Sequence, residues 1–205
     1  QSDDPAFAPV DQATFAGYLE SFRGDYLFHE ASMHSDRLNH YFAGLEGSDD
    51  PPADFPDRWR FPGSEFEVEI PRGSLQAGHL RAIPGASTLP RFYLLAGCDL
   101  GDILHRCPMM VDGQHISPET PLARMYGAYN LGLSYLMLAR GLAVLCHNVT
   151  NPPGDWAPVY RAMGEGRSFG DGVLEVMRAE NDAGLPHYRN VIFGDPTLRL
   201  EGAPR

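Results

Sequence analysis

The run RFYLLAGC at 91–98 is apolar on consecutive positions and stops on a turn, DLGD, that carries two acids and a glycine. A strand that shows one face to water alternates polar and apolar residues, whereas one covered on both faces reads as an unbroken apolar run. This segment therefore predicts a central strand of a parallel sheet with helices on both sides. LAVLCHNV (142–149) reads the same way and predicts a second such strand.

The remaining text alternates in the manner such a sheet requires. DQATFAGYLESF (11–22) has helical spacing and is followed by the strand-like DYLFHEAS. EFEVEI (65–70) alternates as a half-buried strand, PRGS turns it, and LQAGHLRAI predicts a short helix. PLARMYGAYNLGLSYLMLARG (121–141) predicts one long, largely buried helix ended by Gly141. APVYRAMGEG and FGDGVLEVMRAEND predict two more helices, and HYRNVIFGDPTLRL a closing strand with a turn at Gly194-Asp195-Pro196. The Pro- and Asp-rich stretch at about 47–63 reads as an exposed surface insertion within a single domain spanning 1–205.

Composition removes several function classes. A formal charge of −11 argues against nucleic acid as a partner, because that affinity comes from clustered cations. All sixteen basic residues are Arg, a bias read as genomic and given no functional weight. The longest apolar stretch is broken at Arg140-Gly141 and is too short to span a bilayer. The chain begins at Gln1 with no Met and no charged-then-apolar leader, which reads as a processed or excised piece. Three cysteines, Cys98, Cys107 and Cys146, are too few for a disulfide framework or a four-cysteine zinc site. No metal and no cofactor is expected. His29-Glu30 with His34 is superficially like a zinc-peptidase motif, but its spacing is wrong and it lies on a strand and loop. Gly97-Cys98-Asp99-Leu100-Gly101 is not a nucleophile elbow, which needs glycines two before and two after the nucleophile.

In parallel sheets the chemistry lies beyond the carboxyl ends of the strands. That rule selects His29 to His34, Cys98 to Asp102, and His147 to Trp156; if their strands are neighbours, a Cys and a His meet on one edge. A thiol beside an imidazole or a set of backbone N–H groups becomes a nucleophilic thiolate at neutral pH. Cys146, mid-strand, reads as structural, and Cys107, in a loop, as incidental.

CDLGDI at the end of an apolar strand resembles the catalytic-cysteine segment of the gingipain family of cysteine peptidases, which share the caspase-like fold. VIFGDPTLRL (191–200) is similar to the segment closing the sheet in that family, and RGLAVLCHNVTNPPGDW to the strand and substrate-side loop between the two motifs. The resemblance covers about 91–200. It implies a caspase-like α/β fold, a mostly parallel sheet with helices on both faces, lacking the first strands of the full fold. A missing N-terminal segment or partner chain would supply them, and the protein would be secreted or at the cell surface.

The activity implied is cysteine-type endopeptidase chemistry on a peptide or protein substrate. Cys98 would attack the scissile carbonyl, His34 would protonate the leaving amine, and the amides of Cys98 and Ser35 would hold the oxyanion. His29 and His79 are the alternatives to His34, which lacks the flanking glycines usual in the family. Asp99, Asp102, Asn148 and Trp156 would lie on the substrate side, and Asp99, Asp102 and Asp155 could favour a basic side chain. The competing reading is a catalytically inactive caspase-like domain that serves as a scaffold or regulatory module.

Overall fold

The computed structural model describes residues 15–32, 34–35, 39–41, 58–60, 67–69, 74–76, 80, 83, 85–97, 100–101, 109–111, 114–116, 130–147, 155–185 and 189–201. Its centre is a four-stranded sheet built from β1 (Phe28–Ser32), β7 (Arg91–Ala96), β10 (Gly141–His147) and β11 (Asn190–Gly194), in that order across the sheet. β1, β7 and β10 are parallel and β11 closes the edge antiparallel. This is the α/β, mostly parallel arrangement that the two apolar runs predict. All six residues of β7 are buried because it has a neighbour on each side and a layer on each face.

Alternation along the strands divides the core into two layers. Tyr93, Leu95, Val144 and Cys146 face Tyr18 and Leu19 of α1 (Phe15–Ser21), Phe22 just after it, and Leu131 and Tyr135 of α2 (Leu131–Leu138). Phe92, Leu94, Ala96, Ala143 and Leu145 face Val159 and Met163 of α3 (Ala157–Gly164) and Phe169, Val173 and Val176 of α4 (Phe169–Asp182). Helices cover both faces, as expected. α4 starts where its sequence says it should: Ser168 Oγ accepts from Asp171 N at 3.1 Å and Asp171 Oδ2 accepts from Ser168 N at 2.9 Å, a reciprocal capping box.

Three expectations change. The helix predicted over 121–141 does not run through Asn130, whose extended backbone (φ −48°, ψ 134°) and side-chain acceptance from Leu133 N at 3.0 Å start α2 at Leu131. It ends at Leu138, and the left-handed residue after it is Arg140 (φ 57°) rather than Gly141, which already belongs to β10. The third concerns 75–83, predicted as a helix after a turn: Ser74–Gln76 form strand β6, and Leu80 is helical.

β6 pairs antiparallel with β3 (Asn39–Tyr41), which pairs with β2 (His34–Ser35). This small sheet lies against the α1 and α2 side of the core, where Leu75 and His40 are fully buried. Within the predicted insertion, β4 (Arg58–Arg60) pairs antiparallel with β5 (Glu67–Glu69), so that stretch is not wholly irregular. Two further short strands, β8 (Met109–Val111) and β9 (Gln114–Ile116), form a hairpin ladder.

Candidate active site

The carboxyl ends of the three parallel strands lie side by side. Ser32 pairs with Ala96, and Cys146, one residue before the end of β10, pairs with Leu95. β7, which leads into Cys98, is thus flanked by β1, which leads to His34, and by β10, which ends on His147. The condition attached to the sequence reading, that these strands be neighbours, is met.

Cys98, Asp99, Asp102, Asn148, His79 and Cys107 lie outside the described residues, but the residues bracketing Cys98 and Asp99 are fixed. Gly97, Leu100 and Gly101 are buried. Gly101 N donates to His147 O at 2.6 Å, which ties the turn after Cys98 to the end of β10. A Cβ on Gly101 would stand 3.0 Å from Val191 Cβ and 3.2 Å from His147 O, a tight fit that would press the turn away from β10 and β11. Leu100 completes the anchor: it is fully buried in the layer of Leu131 and Cys146.

His34 was expected in an open loop. Its backbone instead lies in β2, paired with Tyr41, two residues beyond the end of β1. Ser35 pairs with His40 and is buried. His29, the alternative partner, sits in the body of β1 opposite Tyr93 rather than at its end. Its ring packs at 4.6 Å from Phe22 and 5.3 Å from Tyr18 and from Tyr93. Burial, assisted by the charge of Arg91, pushes its pKa down to about 3, so it is a neutral core imidazole at neutral pH.

Two histidines fall at informative places. His147 is fully buried, its ring packs tilted 5.4 Å from Trp156, and among the described residues neither ring nitrogen has a hydrogen-bond partner. Burial and the nearby Arg189 bring its pKa to about 4. His40, which the sequence reading passed over, is likewise buried with both nitrogens unpartnered, between Tyr18 and Tyr135. Burial, with His29 nearby, lowers its pKa to about 3. A lone His in a three-residue strand gives no sequence signal of this; only the pairing of 39–41 with 74–76 reveals it.

Trp156, expected on the substrate side, is 2% exposed and packs among Val159, Phe169 and their neighbours as the residue capping α3. Asp155 is exposed, and its carboxylate accepts from Ala157 N at 2.9 Å, which caps α3 while leaving its charge in solvent. Cys146 is a free, fully buried thiol whose pKa burial raises well above the usual range, as befits its structural reading. A buried ion pair, Arg189–Glu180 at 2.9 Å, closes the same edge beside β11, with Asn190 also donating to Glu180. Among the described residues no group of three or more His, Cys, Asp or Glu could hold a metal ion, and no helix is long and apolar enough to cross a membrane.

The chain was compared with family models, curated proteins and solved structures, and no match was found in any of the three.

Proposed function

We propose that this protein is a cysteine-type endopeptidase of gingipain-like, caspase-like architecture. Cys98 is its nucleophile and His34 its acid/base partner. One observation carries the reading: the strand leading into Cys98 has, on either side, a parallel strand that leads to or ends on a histidine. Chain order agrees, because the histidine strand precedes the cysteine strand and the FGDPTLRL segment follows both.

In this mechanism the Cys98 thiolate adds to the scissile carbonyl. The amides of Cys98 and Ser35 hold the oxyanion, and His34 donates the proton with which the amine leaves. Water then releases the acyl group and restores the thiol. Asp99, Asp102 and Asn148 serve the substrate side in this reading, as the resemblance implies. Burial holds His29, His40 and His147 neutral, which makes each of them a poor proton donor at neutral pH.

A second reading, an inactive caspase-like scaffold, draws on the pairing of His34 in β2 and the absence of glycine on either side of it. One experiment separates the two. Peptide reporters ending in Arg, Lys or Asp are offered to the wild-type chain, Cys98→Ala and His34→Ala, while iodoacetamide labelling of Cys98 is followed against pH. The peptidase reading expects cleavage that both substitutions abolish, and fast labelling whose pH profile His34→Ala shifts upward. Slow labelling with the profile of a free thiol, unchanged by His34→Ala and without cleavage, refutes it in favour of the scaffold.

A further inference from the structure

At the amino end of the sheet, opposite the candidate active site, lies a cleft of about 380 Å³. Phe22, Leu80, Ile83 and Tyr93 line it, together with two arginines, Arg91 and Arg140. Their strands start side by side: Arg91 pairs with Gly141, and Arg91 N donates to Arg140 O at 3.2 Å.

Arg91 is 2% exposed, and no carboxylate among the described residues is within ion-pair distance of it or of Arg140. A buried cation normally has a partner, because an uncompensated charge away from water is costly. Arg91 is held by the carbonyls of Ser21, Phe22 and Gly24, at 3.4, 3.3 and 3.0 Å, that end α1. Those three bonds leave two of the five guanidinium N–H groups over. Arg140 stands exposed at the rim, with Nη1 on Thr88 O at 3.1 Å, and the chain reaches it through a left-handed backbone (φ 57°). Side chains other than those of Asn and Asp rarely adopt that conformation, and a glycine stands next in sequence. In a protein of net charge −11, two arginines without a carboxylate partner among the described residues line one cleft.

We propose that this cleft binds a small organic carboxylate, its head held by Arg91 and Arg140 and a short apolar body against Phe22, Leu80 and Ile83. A planar two-oxygen acceptor suits the fork geometry of guanidinium donors, and the apolar wall gives such a ligand an advantage over an inorganic anion. The site does not depend on the peptidase reading, since it occupies the other end of the sheet.

The test titrates the intact 205-residue protein with hexanoate, hexanol and inorganic phosphate at constant ionic strength, followed by calorimetry and thermal unfolding. Hexanoate is expected to bind saturably and raise the unfolding temperature, and hexanol and phosphate to do so far more weakly. Arg140→Gln, at an exposed position that leaves the core intact, should weaken hexanoate binding by about tenfold, while Arg140→Lys retains most of it. The proposal is overturned if hexanol binds as well as hexanoate, which would mark a merely apolar cavity. It is equally overturned if phosphate binds as tightly, if hexanoate does not saturate, or if Arg140→Gln leaves its affinity unchanged.

Discussion

Acidification between pH 7.5 and 5.5 should destabilise this fold, because three of its histidines are locked in the neutral form. His29 and His40 have pKa values pushed down to about 3, and His147 to about 4, each mainly by burial. The groups around them do not offset this: Arg91 and Arg189 are cations, and Tyr18, Tyr93 and Tyr135 are neutral phenols whose own pKa values burial raises. In the unfolded chain the same imidazoles titrate at 6.5. Between those values the unfolded state binds protons that the native state refuses. The stability in question is therefore full above pH 6.5, falls as pH drops through it, and levels off only below the folded values.

The size of the effect follows from the width of the window. From pH 7.5 to 5.5 each histidine moves about one unit below its unfolded pKa and stays neutral when folded, which costs about 1.4 kcal/mol. The three together cost about 4 kcal/mol, a large share of the roughly 5–15 kcal/mol that holds a domain together. Asp171, Glu175 and Asp195 have pKa values lowered by their hydrogen bonds and change charge only below this window. Urea unfolding at a series of pH values and fixed ionic strength measures the slope, which should approach three protons near pH 5.5. His40→Gln should reduce that slope by one proton whatever it does to absolute stability. A loss under about 1 kcal/mol across the window, or imidazole proton resonances of these three residues with midpoints near 6.5, would refute the reasoning.

Two further outcomes test the packing around the candidate site. Gly132→Ala places a methyl 2.5 Å from Leu100 O and 2.9 Å from Cys146 Sγ, so it should destabilise by about 2 kcal/mol in urea and, by displacing the turn after Cys98, slow iodoacetamide labelling of that thiol. Cys146, fully buried with a raised pKa, should stay unlabelled in the native protein at pH 7.5 and react only in denaturant; peptide mapping by mass spectrometry reads this directly.

The features legible in the sequence are those whose signal is local and long. FYLLA and LAVLC announce doubly covered strands by five consecutive apolar or small residues, and α4 announces its start by Ser168 and Asp171 at capping-box spacing. The misread features are short or decided at a distance. β2, β3 and β6 have two or three residues each, too few for any period to show, and their pairing joins residue 40 to residue 75. His34 therefore read as a loop residue and LQAGHL as a helix. In 121–141 the apolar residues outweighed Asn130, although a side chain that caps from an extended backbone is a stronger local signal than the periodicity it interrupts.

The arginines show how an average conceals a site. Sixteen Arg and no Lys looks like a genomic habit when counted over the chain, and several of the described instances make ordinary ion pairs. Arg23 meets Glu20, Arg161 and Arg167 meet Glu175, and Arg189 meets Glu180. An Arg that lacks a carboxylate partner is ordinary when water solvates it, but a buried one has lost its solvent as well. Arg91 meets both conditions, and Arg140, the next strand's cation, shares its cleft at the cost of an unfavourable backbone angle. Composition cannot separate these two from the others, because the distinction rests on which strand each one precedes. Parallel pairing of β7 with β10 brings their first residues together at one end of the sheet for the same reason that it brings the Cys98 and His147 segments together at the other.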